Sequence, residues 1–76
     1  MTDKQMLAEF GENLDYLLNE RQMSQKGLAD KIGVGESTVS HYIKGRRMPT
    51  LATILNIMLA LDCDLDDLIF TSTYII

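Results

Sequence analysis

The chain has a single cysteine and a single histidine. One thiol forms no internal disulfide, and one thiol with one imidazole falls short of the roughly four ligands that close a structural zinc site. Proline occurs once and glycine five times in 76 residues, too few turn-formers for a many-stranded sandwich. No apolar run approaches the roughly 20 residues needed to span a bilayer. The longest, Leu51 to Leu61, covers eleven residues and includes Thr53 and Asn56. The opening MTDKQMLAEF lacks the apolar segment between a basic start and a cleavage site that marks a secretory leader. A soluble cytoplasmic protein with no membrane association is the expectation. Also missing are a nucleophile and base pair, a glycine-rich phosphate loop and a metal set, so neither enzymatic activity nor a cofactor is expected.

The apolar fraction is 46% and the charged fraction 24%, enough to fold one small domain whose core holds itself together or leans on a partner subunit. Seven basic residues against eleven acidic ones give a net charge of −4. That balance argues against nucleic acid, because phosphate neutralisation by Lys and Arg supplies most non-specific affinity. The distribution along the chain argues the other way. Residues 24–50 hold Lys26, Lys31, Lys44, Arg46 and Arg47 against Asp30 and Glu36, a local +3, and the remainder holds Lys4 and Arg21 against nine acids, a local −7.

Five helices are predicted, with no internal repeat or low-complexity segment. Thr2 and Gln5 stand at capping-box spacing, and Leu7, Phe10, Leu14, Leu17 and Leu18 follow at intervals of three and four, so a first amphipathic helix runs to about Arg21. Glu9, Glu12 and Asp15 lie on its other faces. Ser24 caps a second helix, with Met23 and Leu28 at hydrophobic-staple spacing, and it runs to about Lys31. Gly33 takes the left-handed conformation that stops it. Val34, Gly35 and Val39 repeat the staple for a third helix that runs to about Lys44 and ends at Gly45. Thr50, after Pro49, caps a fourth whose apolar face carries Leu51, Ile54, Leu55, Met58 and Leu61. Asp64 caps a short fifth, in which Leu65, Leu68 and Ile69 turn inward. The fold class expected is all-α, a compact five-helix domain over residues 1–70. A short extended tail over residues 71–76, rich in Thr, Tyr and Ile, completes it.

The junction between the second and third helices is the informative feature. Only about four residues separate Lys31 from Glu36, with Gly33 among them, so the two helices cross at a large angle instead of forming an antiparallel hairpin. Ala29 is small where the helices meet, and Leu28, Ile32, Val39, Tyr42 and Ile43 take the inward positions. Glu36, Ser37, Ser40, His41 and Lys44 are left facing outward. A helix offering short hydrogen-bonding groups, with cations just beyond its end, suits a major groove and its donor and acceptor pattern.

The stretch SQKGLADKIGVGESTVSHYIKG, residues 24–45, followed by Arg46, Arg47 and Pro49, resembles the helix-turn-helix of the lambda repressor and Cro family, also called the XRE family. The likeness extends over Phe10 to Arg21, Leu51 to Leu61 and Leu65 to Ile69. It rests on Gln25, Ala29, Gly33, Val39, Tyr42 and the Gly45 to Pro49 segment. It implies a lambda-repressor-like DNA-binding domain acting as a sequence-specific transcriptional regulator, a repressor, that binds double-stranded operators as a homodimer without a cofactor. By the same resemblance Glu36, Ser37 and His41 fall on base-reading positions, with Ser40 adjacent and Arg47 reaching a base edge or the backbone. Gln25, Lys26, Thr38, Lys44 and Arg46 then contact phosphate, which sets orientation without reading sequence. Three residues depart from the pattern. Gly27 lies inside the second helix, close to DNA or a neighbour. Gly35 stands where Ser or Thr often caps, and Asp62 replaces the usual glycine between helices four and five.

Plainer roles stand beside these. Glu36 is also a favourable negative charge in a first helical turn, and His41 a solvated polar residue. Tyr42 and the methionines read as core filling, Cys63 as an inert thiol, and Asp62, Asp64, Asp66 and Asp67 as a cap plus a solvated face. The rival function is an antitoxin or anti-regulator that binds another protein through its acidic surface and the apolar Tyr74, Ile75 and Ile76. For the homodimer, the sequence offers the face of helices four and five or strand pairing of the tail, and the tail is favoured. No ligand-sensing or self-cleaving segment is recognised, so control is expected to come through concentration or a partner.

Overall fold

Residues 2–69 are described by the structure, a computed structural model. Among them run α1 Asp3–Glu20, α2 Gln25–Ile32, α3 Glu36–Ile43, α4 Leu51–Leu61 and α5 Leu65–Ile69, with no strand. The extended tail expected over residues 71–76 lies outside the described residues.

The helix starts follow their caps. Thr2 Oγ1 accepts from the Gln5 N–H at 3.1 Å and Gln5 Oε1 accepts from the Thr2 N–H at 2.8 Å, closing the capping box. Ser24 Oγ takes the Gly27 N–H at 2.9 Å and Thr50 Oγ1 the Thr53 N–H at 3.2 Å. At α5 the expected roles exchange. Asp64 occupies the cap position, but the bond runs from its N–H to Asp67 Oδ2 at 2.9 Å, so the capping carboxylate is that of Asp67.

The first four helices end alike. Gln22, Gly33, Gly45 and Asp62 turn left-handed, with φ of 54°, 74°, 69° and 49°. The next N–H then reaches back five residues: Met23 to Leu18 O at 2.9 Å, Val34 to Ala29 O at 3.0 Å, Arg46 to His41 O at 2.9 Å and Cys63 to Met58 O at 3.1 Å. Only two of the four are glycines. At Asp62 the cost of a side chain in that conformation is offset by Arg21, whose Nε donates to Leu61 O at 2.8 Å and Nη2 to Asp62 O at 3.2 Å. A cation there serves carbonyls that have no partner within the helix and the negative end of its dipole. Asn13 Nδ2 donates to Leu68 O at 2.8 Å and fastens α5 to α1.

The core is wholly apolar among the described residues. Phe10, Leu14, Leu28, Val39, Ile57, Leu61 and Leu68 are fully buried, with no buried polar or charged side chain. α1 packs on α3 and α5, and α2 on α3 and α4. The Phe10 ring meets Tyr42 edge-on, centroids 6.1 Å apart at 73°, a favoured aromatic geometry. Gly11, unremarked in the sequence, lies where α1 crosses the end of α3, and a methyl group there would overlap the carbonyl oxygens of Tyr42 and Ile43. Gly27 is crowded from within the chain, since an added Cβ would lie 3.2 Å from Ser24 Oγ and 3.3 Å from Met23 Cγ.

α4 turns a different face inward from the one expected. Leu51 and Leu55 are 71% and 50% exposed, Leu59 is 82% exposed, and Ile57, absent from the expected face, is fully buried. Ile54, Ile57, Met58 and Leu61 make the core contact. Apart from Thr53 and Asn56 the helix is apolar all round, so polar contrast cannot orient it. Leu65 also faces solvent, in contrast to the inward role assigned it, while Leu68 and Ile69 are buried. No helix among the described residues is long and apolar enough to cross a membrane.

Gly11→Ala should lower stability by about 1–3 kcal/mol, the usual range for forced overpacking. Gly35→Ser should raise it by a few tenths of a kcal/mol, since φ there is −76° and an added Cβ would meet only ordinary contacts, 3.8 Å from Ser37 Oγ. Urea denaturation of the two variants measures both.

Candidate nucleic-acid interface

α2 and α3 are joined by Gly33, Val34 and Gly35 alone. Leu28 and Ala29 of α2 and Val39 and Tyr42 of α3 are buried, and Ile32, Val34 and Ile43 pack against the core around them. Ala29 is 1% exposed, as a residue filling a close helix crossing should be.

This packing decides what α3 shows to solvent. At about 100° per residue, Val39, Tyr42 and Ile43 define the inner side, so Ser37 points directly away from it, with His41 and Lys44 about 30° to either side. Ser40 lies further round toward the core, about 70° from that line, and Glu36 and Thr38 stand at opposite edges. Solvent exposure agrees, with Glu36, Ser37, His41 and Lys44 exposed and Thr38 and Ser40 half-buried. Gly35 is the N-cap and gives α3 no side-chain cap bond.

Lys44 caps the C-terminal end of α3, and Gly45 then turns the chain across the backbone of Leu7 and Ala8. Because the Arg46 N–H is bonded to His41 O, the basic pair is tied to the last turn of the helix. Arg46 and Arg47 are both exposed, Pro49 is buried, and among the described residues no carboxylate lies within ion-pair range of Lys44, Arg46 or Arg47. Lys26 differs, with its Nζ 3.3 Å from Asp30 Oδ2. Exposed i,i+4 pairs contribute only about 0.3–0.5 kcal/mol, so a phosphate could compete for this lysine. Gln25 is half-buried in the first turn of α2. The ten candidate residues thus come from two stretches, 25–26 at the start of α2 and 36–47 along and beyond α3.

Two positioning residues gave little sign of themselves in the sequence. Gly11 lets α1 come close to the Tyr42 and Ile43 carbonyls and so fixes the far end of α3. Its signal was a glycine directly after Phe10 on an apolar stripe. Gln22 was the other, a left-handed stop with no glycine to announce it. Away from this region, Asp62, Asp64, Asp66 and Asp67 are exposed, and among the described residues no three His, Cys, Asp or Glu side chains converge as a metal site.

The helix-turn-helix family profile matches residues 14–68. YqaE of Bacillus subtilis (strain 168), named an uncharacterized HTH-type transcriptional regulator, is 35% identical over 60 residues. The match takes in 79% of this chain and 52% of YqaE, so the chain spans about half the length of that relative. Among solved structures, the restriction-modification controller protein C.AhdI from Aeromonas hydrophila is similar with a TM-score of 0.76 at 34% identity, over 82% of this chain and 94% of its own. The SOS-response transcriptional repressor LexA from Eubacterium rectale gives a TM-score of 0.85 at 25% identity, covering 100% of this chain and 81% of its own. An HTH_3 family transcriptional regulator from Vibrio cholerae, at 24% identity and a TM-score of 0.80 over 88% of this chain and 38% of its own, shares the fold.

Cys63 stands apart from the α3 surface, half-buried just after α4. Burial pushes its thiol up, the nearby Asp67, Asp64 and Asp62 carboxylates add to the rise, and Arg21 opposes them. A raised value leaves less thiolate at a given pH, and thiolate is the reactive form. Iodoacetamide at mildly alkaline pH should therefore modify Cys63 more slowly in the folded protein than in urea, with the folded rate rising at higher pH than the unfolded one.

Proposed function

Because this chain belongs to the helix-turn-helix family, of the lambda repressor and Cro type, we propose that it is a sequence-specific transcriptional regulator. In this reading it binds double-stranded DNA as a homodimer, with α3 in the major groove, and acts as a repressor. One observation carries it: the outward face of α3 is polar from end to end and runs directly into three cations that no carboxylate on the described chain engages. Ser37, Ser40 and His41 offer base edges the hydroxyl and imidazole groups that major-groove recognition uses. Glu36 can accept from a cytosine N4 amine but repels phosphate, so it narrows specificity and lowers affinity. Arg47 reaches a base edge or the backbone. Gln25, Lys26, Thr38, Lys44 and Arg46 hold phosphates and set the angle of entry. Repression, in preference to activation, is favoured by the likeness to LexA, itself a transcriptional repressor. Two copies would set their α3 helices about 34–36 Å apart, one turn of duplex. No catalytic step and no cofactor enter the reading.

Selection of bound duplexes from a random pool at two salt concentrations tests it. A near-palindromic site should emerge, and affinity should fall steeply as salt rises. A module built only to bind protein would enrich no sequence. Lys44→Ala with Arg46→Ala should flatten the slope of log K against log salt by about 1.8 per protomer, near 0.9 for each lost phosphate contact. Glu36→Gln should bind several-fold more tightly and relax preference at one base pair of each half-site, as a repeated selection would show.

A further inference from the structure

We infer that Lys4, in the first turn of α1, is a further phosphate contact, held beside the duplex by the segment that leaves α3. The inference rests on the proposed function and adds an element to it, since the ten candidate residues include none from α1. The other cations have places already. Arg21 donates to the Leu61 and Asp62 carbonyls, Lys26 pairs with Asp30, and Lys31 borders a groove with Asn56, Leu59 and Ala60 on the α4 side. Lys44, Arg46 and Arg47 belong to the α3 surface. Lys4 is exposed, no carboxylate among the described residues lies within ion-pair range of it, and its neighbours one helical turn on, Leu7 and Ala8, are uncharged.

Three close approaches place it. Gly11 lies against the Tyr42 and Ile43 carbonyls, and an added Cβ at Gly45 would lie 3.6 Å from Ala8 Cα and 3.7 Å from Leu7 O. Further along, Met48 borders a groove of about 350 Å³ with Asp3, Met6 and Leu7. Residues 45–48 therefore run back along the first turns of α1. At about 100° and 1.5 Å per residue, Lys4, Ala8 and Gly11 share one side of the helix within about 60°, and Lys4 stands about 6 Å beyond Ala8. The line that meets the end of α3 at Gly11 and the turn at Ala8 thus leads next to Lys4, alongside Arg46 and Arg47. Asp3 lies about 100° round from it, on the Met48 side. A compact ammonium on a long flexible stem suits a phosphate, so Lys4 adds affinity without reading sequence.

Binding of a selected duplex by the full chain, followed across salt, tests the contact. Lys4→Ala should flatten the slope of log K against log salt by about 0.9 per protomer, so its deficit against wild type shrinks roughly 3.5-fold per protomer between about 50 and 200 mM salt. Lys4→Arg should keep the wild-type slope, and a repeated selection with Lys4→Ala should return the same bases. Lys31→Ala removes the same charge at the far end of α2 and should leave the slope unchanged. Ethylation interference should lose one phosphate per half-site in Lys4→Ala, next to the one lost in Arg46→Ala. Equal flattening by Lys4→Ala and Lys31→Ala would make the effect one of net charge and overturn the contact. A Lys4→Ala slope equal to wild type would overturn it too, while leaving the DNA reading intact. A wild-type chain that enriches no duplex would remove that reading and this contact with it.

Discussion

An eight-residue helix can be anchored only along one side and at its ends, and the fold depends on how α3 meets that constraint. Val39 and Tyr42 are its buried residues, Phe10 supports Tyr42 edge-on, and the absence of a side chain at Gly11 lets α1 close against the carbonyls of the last turn. Anchored there, α3 leaves its opposite side to solvent, and the turn at Gly45 delivers Arg46 and Arg47 from a fixed point. α2 adds the buried Leu28 and Ala29, and α4 and α5 close the core through Ile57, Leu61 and Leu68.

Electrostatics divides the molecule in the same way. The cations of residues 24–50 give that segment a local +3 inside a chain of net charge −4. At about 0.1 M salt the Debye length is about 10 Å, so acids on the far side of the domain are largely screened from a phosphate at the α3 surface. Under the proposed function the acidic remainder would discourage binding by any other face, so the polarity of the charge matters more than its sum. Of the two acids inside the basic segment, Asp30 pairs with Lys26 and Glu36 is exposed at the first turn of α3, where under the proposed function it would select bases more than hold DNA.

Much of this was legible in the sequence because the signals are local. Thr2 with Gln5, Ser24 and Thr50 announced helix starts, Gly33 and Gly45 announced stops, and the alternation of apolar and polar residues set the inner and outer sides of α1 and α3. α4 was not legible in that way. With leucine, isoleucine and methionine around most of its circumference, only tertiary packing distinguishes the buried Ile57 from the exposed Leu51 and Leu55. Gly11 and Gln22 were missed for a related reason, since one reports the approach of a distant backbone and the other a left-handed turn without glycine. The α3 surface, by contrast, followed from inward residues that were read correctly, and its ten candidate positions lie along the start of α2 and along α3 and its exit.

The most direct measurement is a residue-by-residue map of amide chemical-shift changes as a selected duplex is titrated into the labelled protein. The account predicts that the largest changes fall on Gln25 and Lys26, on Glu36 to Lys44, and on Arg46 and Arg47, with the acidic faces of α1 and α5 little altered. Changes concentrated on α1 or α5, with the outer face of α3 unmoved, would contradict it.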